Sequence, residues 1–249
     1  MARYNLIQAP AVFLLETVFT QMWGFKPKMI GSFVRQKGSV RSLFWFAKNI
    51  LKYEGIREKL GPVRTHVLVT GTSALNDCPY CVFGHGFALS LAHLKQTGQL
   101  FPMTESELMA LCGQSESDIL ATMERALIQA DLRSEVLPLE RIGELRLRPE
   151  LAATKQDRDL VALTKMFATL NFCNNQGNVQ RDQAHDQLNK DRVLRDRYIA
   201  LRRAARSQPA MAQSSGVTVL NPADVSDNSW PSFSRQRDSR QRDSRQRDD

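Results

Sequence analysis

From Ala9 to Ala205 the apolar residues of this chain recur at the spacing of a helix surface, and no segment alternates with the period of a strand. Val12, Phe19 and Trp23, with Phe13 and Leu14, make a broad apolar surface over 9–23. Gly38 breaks the next segment, and Ser39 is placed to cap a helix reaching about Tyr53. Glu54-Gly55 and Gly61-Pro62 mark turns around a short helical piece. Helices are then predicted over Val63 to Leu75 and Phe83 to Leu94. Thr104 to Glu107 opens a helix through Cys112 in capping-box style, and further helices cover Ser115 to Ala130 and Asp157 to Asn174. Pro138 and Pro149 bracket a poorly periodic stretch, 137–150, that reads as a loop. The last helix, Val179 to Ala205, is charged and packs by a stripe of Ala184, Leu188 and Leu194. The expected fold is all-α, a compact helical bundle with antiparallel neighbours.

Chemistry concentrates at Cys78-Pro-Tyr-Cys81-Val-Phe-Gly-His85. Asn76 and Asp77 are N-cap candidates and Pro79 suits a first helical turn, so both thiols fall at a helix N-terminus, where the dipole favours thiolate. Cys81 and His85 are i and i+4, one turn apart, and an imidazole there can exchange a proton with the sulfur. Cys78 and Cys81 are spaced for a reversible disulfide. A metal site completed by a remote ligand and a structural disulfide are the competing readings. No second cysteine pair accompanies the first, because Cys112 and Cys173 stand alone on apolar faces as inert thiols.

The run from His66 to His85, with Ser73, Asn76, Cys78, Cys81 and His85 in register, resembles the alkylhydroperoxidase D-like, carboxymuconolactone decarboxylase superfamily. The likeness is specific over about twenty residues and looser over roughly 55–205. It implies a thiol-dependent peroxidase, a peroxiredoxin-like oxidoreductase acting on (alkyl) hydroperoxides, with Cys78, Cys81, His85 and His66 as site residues. It also implies an external dithiol reductant, such as a lipoyl group on a partner protein, no bound cofactor, and a homo-oligomer, trimeric or hexameric. Two positions depart from the peroxidase branch: His66 stands where a relay glutamate begins the preceding helix, and Tyr80 where histidine often separates the cysteines. His66 either passes a proton in the glutamate's place or is a helix-start histidine without a role. A redox-sensing module without rapid turnover and a decarboxylase-like enzyme are the alternatives.

The same reading divides the chain into an N-terminal helical extension (1–54), a core (55–206) and a low-complexity tail (207–249) in which Ser-Arg-Gln-Arg-Asp recurs from Ser234. That tail is expected to be disordered, since it has nothing to bury. The net charge of +8 gathers in the N-terminal region, but no zinc finger or helix-turn-helix signature accompanies it. Specific nucleic-acid binding is therefore not expected. The nearest thing to a membrane span, Ala9 to Phe19, is short and carries Glu16, so no membrane partner and a cytoplasmic setting are expected. His93 reads as exposed or packed and His185 as solvated. Phe83 and Phe87 are expected to shield the thiols, and Phe44, Trp45, Phe46 and Tyr53 to form core or subunit interface.

Overall fold

Helix α4 (Pro62–Leu75) is buried on all sides from Thr65 to Ala74, in keeping with a sequence whose apolar and small residues run round the whole helix. In the computed structural model, which describes residues 8–207, α4 is packed by α3 (Ser39–Leu60), α5 (Pro79–Thr97), α6 (Glu105–Met109), α7 (Glu116–Gln129), α8 (Val136–Leu147) and α9 (Lys155–Gln176). Two further helices, α1 (Ala9–Trp23) and α2 (Met29–Lys37), close over α3 and α9, while α10 (Arg192–Ser207) lies on α5. The described residues contain no strand, so the all-α fold stands. The repeats from Ser234 onward lie outside the described residues. Among the described residues, no helix is long and apolar enough to cross a membrane.

The N-terminal helices are built into the core. An aromatic cluster joins Phe19 of α1, Phe33 of α2 and Phe46 of α3, with ring centroids 5.4 Å apart for Phe19–Phe46 and 4.8 Å for Phe33–Phe46. Ser32 and Gln36 of α2 both donate to the carbonyl of Cys173 in α9, at 2.8 and 2.6 Å. The boundary drawn at residues 54–55 falls inside α3, which runs unbroken to Leu60.

Three other expectations change. Residues 137–150 are chiefly helical, because Pro138 sits in the first turn of α8, where its missing N–H breaks no helical hydrogen bond. Residues 179–186 are not helical, and only a 3₁₀ turn (Gln187–Lys190) precedes α10. Asn76 and Asp77 do not cap α5: Asn76 closes α4, Asp77 is left-handed (φ 53°), and Cys78 takes the cap position. This short connection folds α5 back along α4 and places the cysteine pair at the turn.

Gly61 joins α3 to α4 at φ 81°, ψ 159°, a region open essentially to glycine alone. Its carbonyl accepts both the backbone N–H (3.1 Å) and the hydroxyl (2.8 Å) of Thr65. A Cβ there meets nothing within 4 Å. Gly61→Ala should therefore destabilise by backbone strain alone, about 1–3 kcal/mol in urea unfolding. A variant as stable as its parent would show the turn to be unstrained.

Candidate active site

Cys78, Cys81, His85 and His66 come together where the first turn of α5 faces α4, and segment 179–191 folds against them. Cys78 is 0% and Cys81 2% exposed, and both thiols are free. Asn174 of α9 donates its amide to Cys81 Sγ at 3.1 Å, while Ser73 donates to Asn171 Oδ1 at 3.4 Å on the same wall. The turn itself is pinned by the Asn175 amide, which donates to the carbonyls of Asn76 (3.3 Å) and Asp77 (2.8 Å).

The two histidines are linked ring to ring. His66 Nδ1 lies 3.2 Å from His85 Nδ1, and His66 Nε2 lies 3.0 Å from Asp186 Oδ2. Arg57 Nη2 approaches the same carboxylate oxygen at 2.9 Å, and the Leu188 N–H donates to Asp186 Oδ1 at 2.8 Å. Burial alone would raise the Asp186 carboxyl, but the His66 hydrogen bond and the Arg57 charge hold it below its ordinary value. An ionised Asp186 only accepts hydrogen bonds, which fixes the proton positions. With both rings neutral, His66 carries its proton on Nε2, its Nδ1 accepts, and His85 donates from Nδ1. His85 Nε2 is left with a bare lone pair. Burial, with His185 and His66 nearby, drives the His85 pKa well below its usual value, so the ring is neutral and able to act as a base.

A second carboxylate organises the other side. Asp182 accepts from the Tyr80 hydroxyl (2.8 Å), the Lys28 N–H (3.0 Å) and His185 Nε2 (3.1 Å). Burial opposes its ionisation, and these donors outweigh burial, leaving its pKa below normal. Tyr80, between the cysteines, thus ties the first turn of α5 to Asp182. His185 is buried rather than solvated: it stacks on Trp23 (centroids 5.2 Å apart, planes 11° apart) and meets His85 edge-on at 5.2 Å. Its backbone N–H donates to the Gly84 carbonyl at 3.0 Å. Asp182, His185 and Asp186 are a cluster that sequence reasoning passed over. Its signal was a histidine between two aspartates, but on a charged helix such a group reads as exposed.

Other residues fall elsewhere. His93 is buried and packs edge-on against Phe101, Cys173 lies against α2, and Cys112 is half-buried with its thiol pushed up to about 12 by burial. Phe83 sits beneath Arg181 and Phe87 against Tyr198, and neither lines the cavity beside Cys81. A cavity of about 50 Å³ beside Cys81 and His85 is lined instead by aromatic residues of the N-terminal helices, including Trp45, Phe46 and Tyr53. Phe44 points away and is 73% exposed.

The expected thiolate at the helix N-terminus is not what the electrostatics give. Burial, then the neighbouring Cys78 thiol, pushes the Cys81 pKa well above its usual value, and the Asn174 amide only partly offsets this. Among the described residues no group of three or more acidic, cysteine or histidine side chains is arranged to hold a metal. No family model, curated protein or solved structure matches the chain.

Two consequences are measurable. A Cβ on Gly84 would fall on the His185 ring, so Gly84→Ala should displace the 182–186 segment and cost about 1–3 kcal/mol of stability. Unchanged histidine NMR shifts in that variant would refute the packing. The second concerns acid. Buried His85 stays neutral where the unfolded chain, with a histidine pKa of about 6.5, takes up a proton. The unfolded state then binds more protons, and stability is lost as pH falls below about 6.5. His93, its pKa also lowered by burial, adds in the same direction. Melting temperatures should fall between pH 7.5 and 5.5, and less steeply in His85→Gln; equal slopes would remove His85 as a source.

Proposed function

We propose that the chain is a thiol-dependent peroxidase of the alkylhydroperoxidase D-like type, an oxidoreductase that reduces hydroperoxides through Cys78 and Cys81. The observation that carries this reading is the chain of contacts from Asp186 through His66 to His85, which sets a neutral base beside a buried thiol pair. His66 supports the role of the missing glutamate because Asp186, supplied from another segment, stands behind it.

In the reaction, His85 Nε2 takes the proton of Cys81 as the sulfur attacks the terminal peroxide oxygen. The S–O bond forms and the O–O bond breaks, leaving alkoxide and the sulfenic acid of Cys81. Alkoxide takes the proton from His85 and departs as alcohol. The Cys78 sulfur then attacks the sulfenic sulfur, and water leaves with the Cys78 proton and the hydroxyl, closing the disulfide. An external dithiol, of lipoyl type on a partner protein, returns both cysteines to thiols. We place the cycle in the cytoplasm, where such reductants are kept reduced. Self-association belongs to the same proposal and has support in the exposed apolar side chains of α1 and α3, among them Phe13, Phe44 and Leu51.

One observation favours a redox sensor instead: a buried thiol whose pKa is raised reacts slowly. Turnover number decides between them, since a sensor oxidises once and an enzyme cycles.

Three substitutions test the proposal. Cys81→Ser should abolish peroxide consumption in the presence of a dithiol. His85→Ala should lower the rate by about 10²–10⁴-fold, the usual worth of a positioned base. Asp186→Asn removes the charge that fixes the imidazole tautomers and should cost about 10–100-fold, as loss of an outer hydrogen-bond partner does at other sites. Peroxidase activity unchanged in Cys81→Ser would end the reading; unchanged activity in Asp186→Asn would end the relay.

A further inference from the structure

The cavity beside Cys81 and His85 is walled largely by hydrocarbon. Phe19, Trp23, Phe46 and Phe167 enclose it, and the half-buried Met22 and Ile50 form its mouth between α1 and α3. No Lys, Arg, Asp or Glu lines it. An anionic ligand would lose its hydration there without gaining a partner charge, so the lining suits an uncharged one. At about 50 Å³ the space falls well short of the roughly 150 Å³ that admits a benzene ring, so a slim chain fits and a ring does not.

One polar group of the lining is unpaired. Tyr53, 7% exposed, makes no hydrogen bond through its hydroxyl. A buried hydroxyl left unpaired loses its hydration without replacement, so its presence in the same lining as the thiol points to a ligand atom that completes it. Burial, and then the Asp186 charge, raise the phenol pKa above its usual value, so Tyr53 keeps its proton and acts as a donor. Its ring centroid lies 6.4 Å from that of His85, which places it next to the base.

We propose that this cavity is the substrate site, that it takes an uncharged, unbranched alkyl hydroperoxide, and that the Tyr53 hydroxyl donates to the oxygen that leaves as alcohol. The inference rests on the peroxidase reading above. As Cys81 sulfur bonds to the terminal oxygen and the O–O bond breaks, the electron pair stays on the alkoxy oxygen. That oxygen accepts the Tyr53 hydrogen bond, then takes the proton His85 received from Cys81. Tyr53 itself neither gains nor loses a proton. The alkyl chain runs past Met22 and Ile50, and the unbranched Met22 side chain adjusts to it.

The test is single-turnover oxidation of the reduced full-length protein by ethyl hydroperoxide, cumene hydroperoxide and hydrogen peroxide, in wild type, Tyr53→Phe and Ile50→Trp. Ethyl hydroperoxide should be the fastest oxidant, ahead of cumene hydroperoxide by about tenfold or more. Tyr53→Phe keeps the ring, should unfold at the same or higher urea concentration, and should lose about 10–100-fold with ethyl hydroperoxide, the order expected for one lost donor. Ile50→Trp, which narrows the mouth, should slow ethyl hydroperoxide more than hydrogen peroxide. A Tyr53→Phe rate equal to wild type would overturn the donor role, and cumene hydroperoxide as the fastest oxidant would overturn the substrate class. Both results leave turnover, and so the peroxidase reading, in place. Failure of all three peroxides to oxidise the cysteines would instead remove that reading and this inference together.

Discussion

The buried carboxylate of Asp186 sets the arrangement of everything around the cysteine pair. A charge taken out of water must be matched by donors close at hand, or it neutralises itself or destabilises the fold. Asp186 has Arg57 from α3, His66 from α4 and the Leu188 N–H from its own turn, so its ionisation ties three parts of the chain together. Because an ionised carboxylate only accepts, it also dictates that His66 Nε2 holds a proton, and with both rings neutral that order passes on to His85. A structural demand and a chemical one are met by the same contacts. Removing one partner would leave a buried charge exposed to a dry environment, which costs more than the pair itself contributes.

The N-terminal helices belong to this arrangement as much as the motif-bearing ones do. Trp23 of α1 stacks on His185, and the Lys28 N–H just before α2 donates to Asp182. Arg57 and Tyr53 of α3 reach the relay and the cavity from the same helix, one turn apart. Segment 179–191 is thereby held between α1–α3 on one side and α5 on the other, with the Gly84 carbonyl accepting the His185 N–H where the close approach allows no side chain. The position inside Cys-x-x-Cys-x-x-x-His that looks least informative is the one that lets His185, and with it Asp186, come near.

Strong helical periodicity made α1, α4, α5, α7 and α9 legible, with the capping box at Thr104 marking the start of α6; the box at Thr154, which starts α9 two residues before the predicted Asp157, went unread. The pattern around Cys78, Cys81 and His85 located the site within the chain. What could not be read depended on pairing between distant segments. Glu54-Gly55 looks like a turn, but Tyr53 and Ile56 are buried side by side in one continuous helix, and their packing overrides the local preference. Residues 182–186 look solvated because Asp and His on a charged stretch normally are. Their burial follows from partners at residues 23, 28, 57, 66 and 80, and no local spacing announces those. The cavity was hidden in the same way: its aromatic lining comes from three helices, α1, α3 and α9, each of which alone reads as core.

In the proposed cycle the two halves make opposite demands on this burial. Oxidation needs a small neutral reagent to reach Cys81, and the thiol, its pKa raised, gives up its proton to neutral His85 as the sulfur–oxygen bond forms. Burial then protects the thiol from charged oxidants that cannot enter. Closing the disulfide joins two free thiols of one helical turn, Cys78 at the cap of α5 and Cys81 three residues on. Reduction is harder. A dithiol must bring its sulfur in line with the S–S bond, and a cavity of about 50 Å³ leaves no room for that approach. Cys78, by contrast, lies beneath a turn whose neighbours Asp77 and Pro79 are exposed, and whose two carbonyls are held by the exposed Asn175 amide. Exchanging those hydrogen bonds for water costs little compared with opening the aromatic core. In that proposed cycle the reductant would reach Cys78 through the Asn76–Cys78 turn rather than through the cavity.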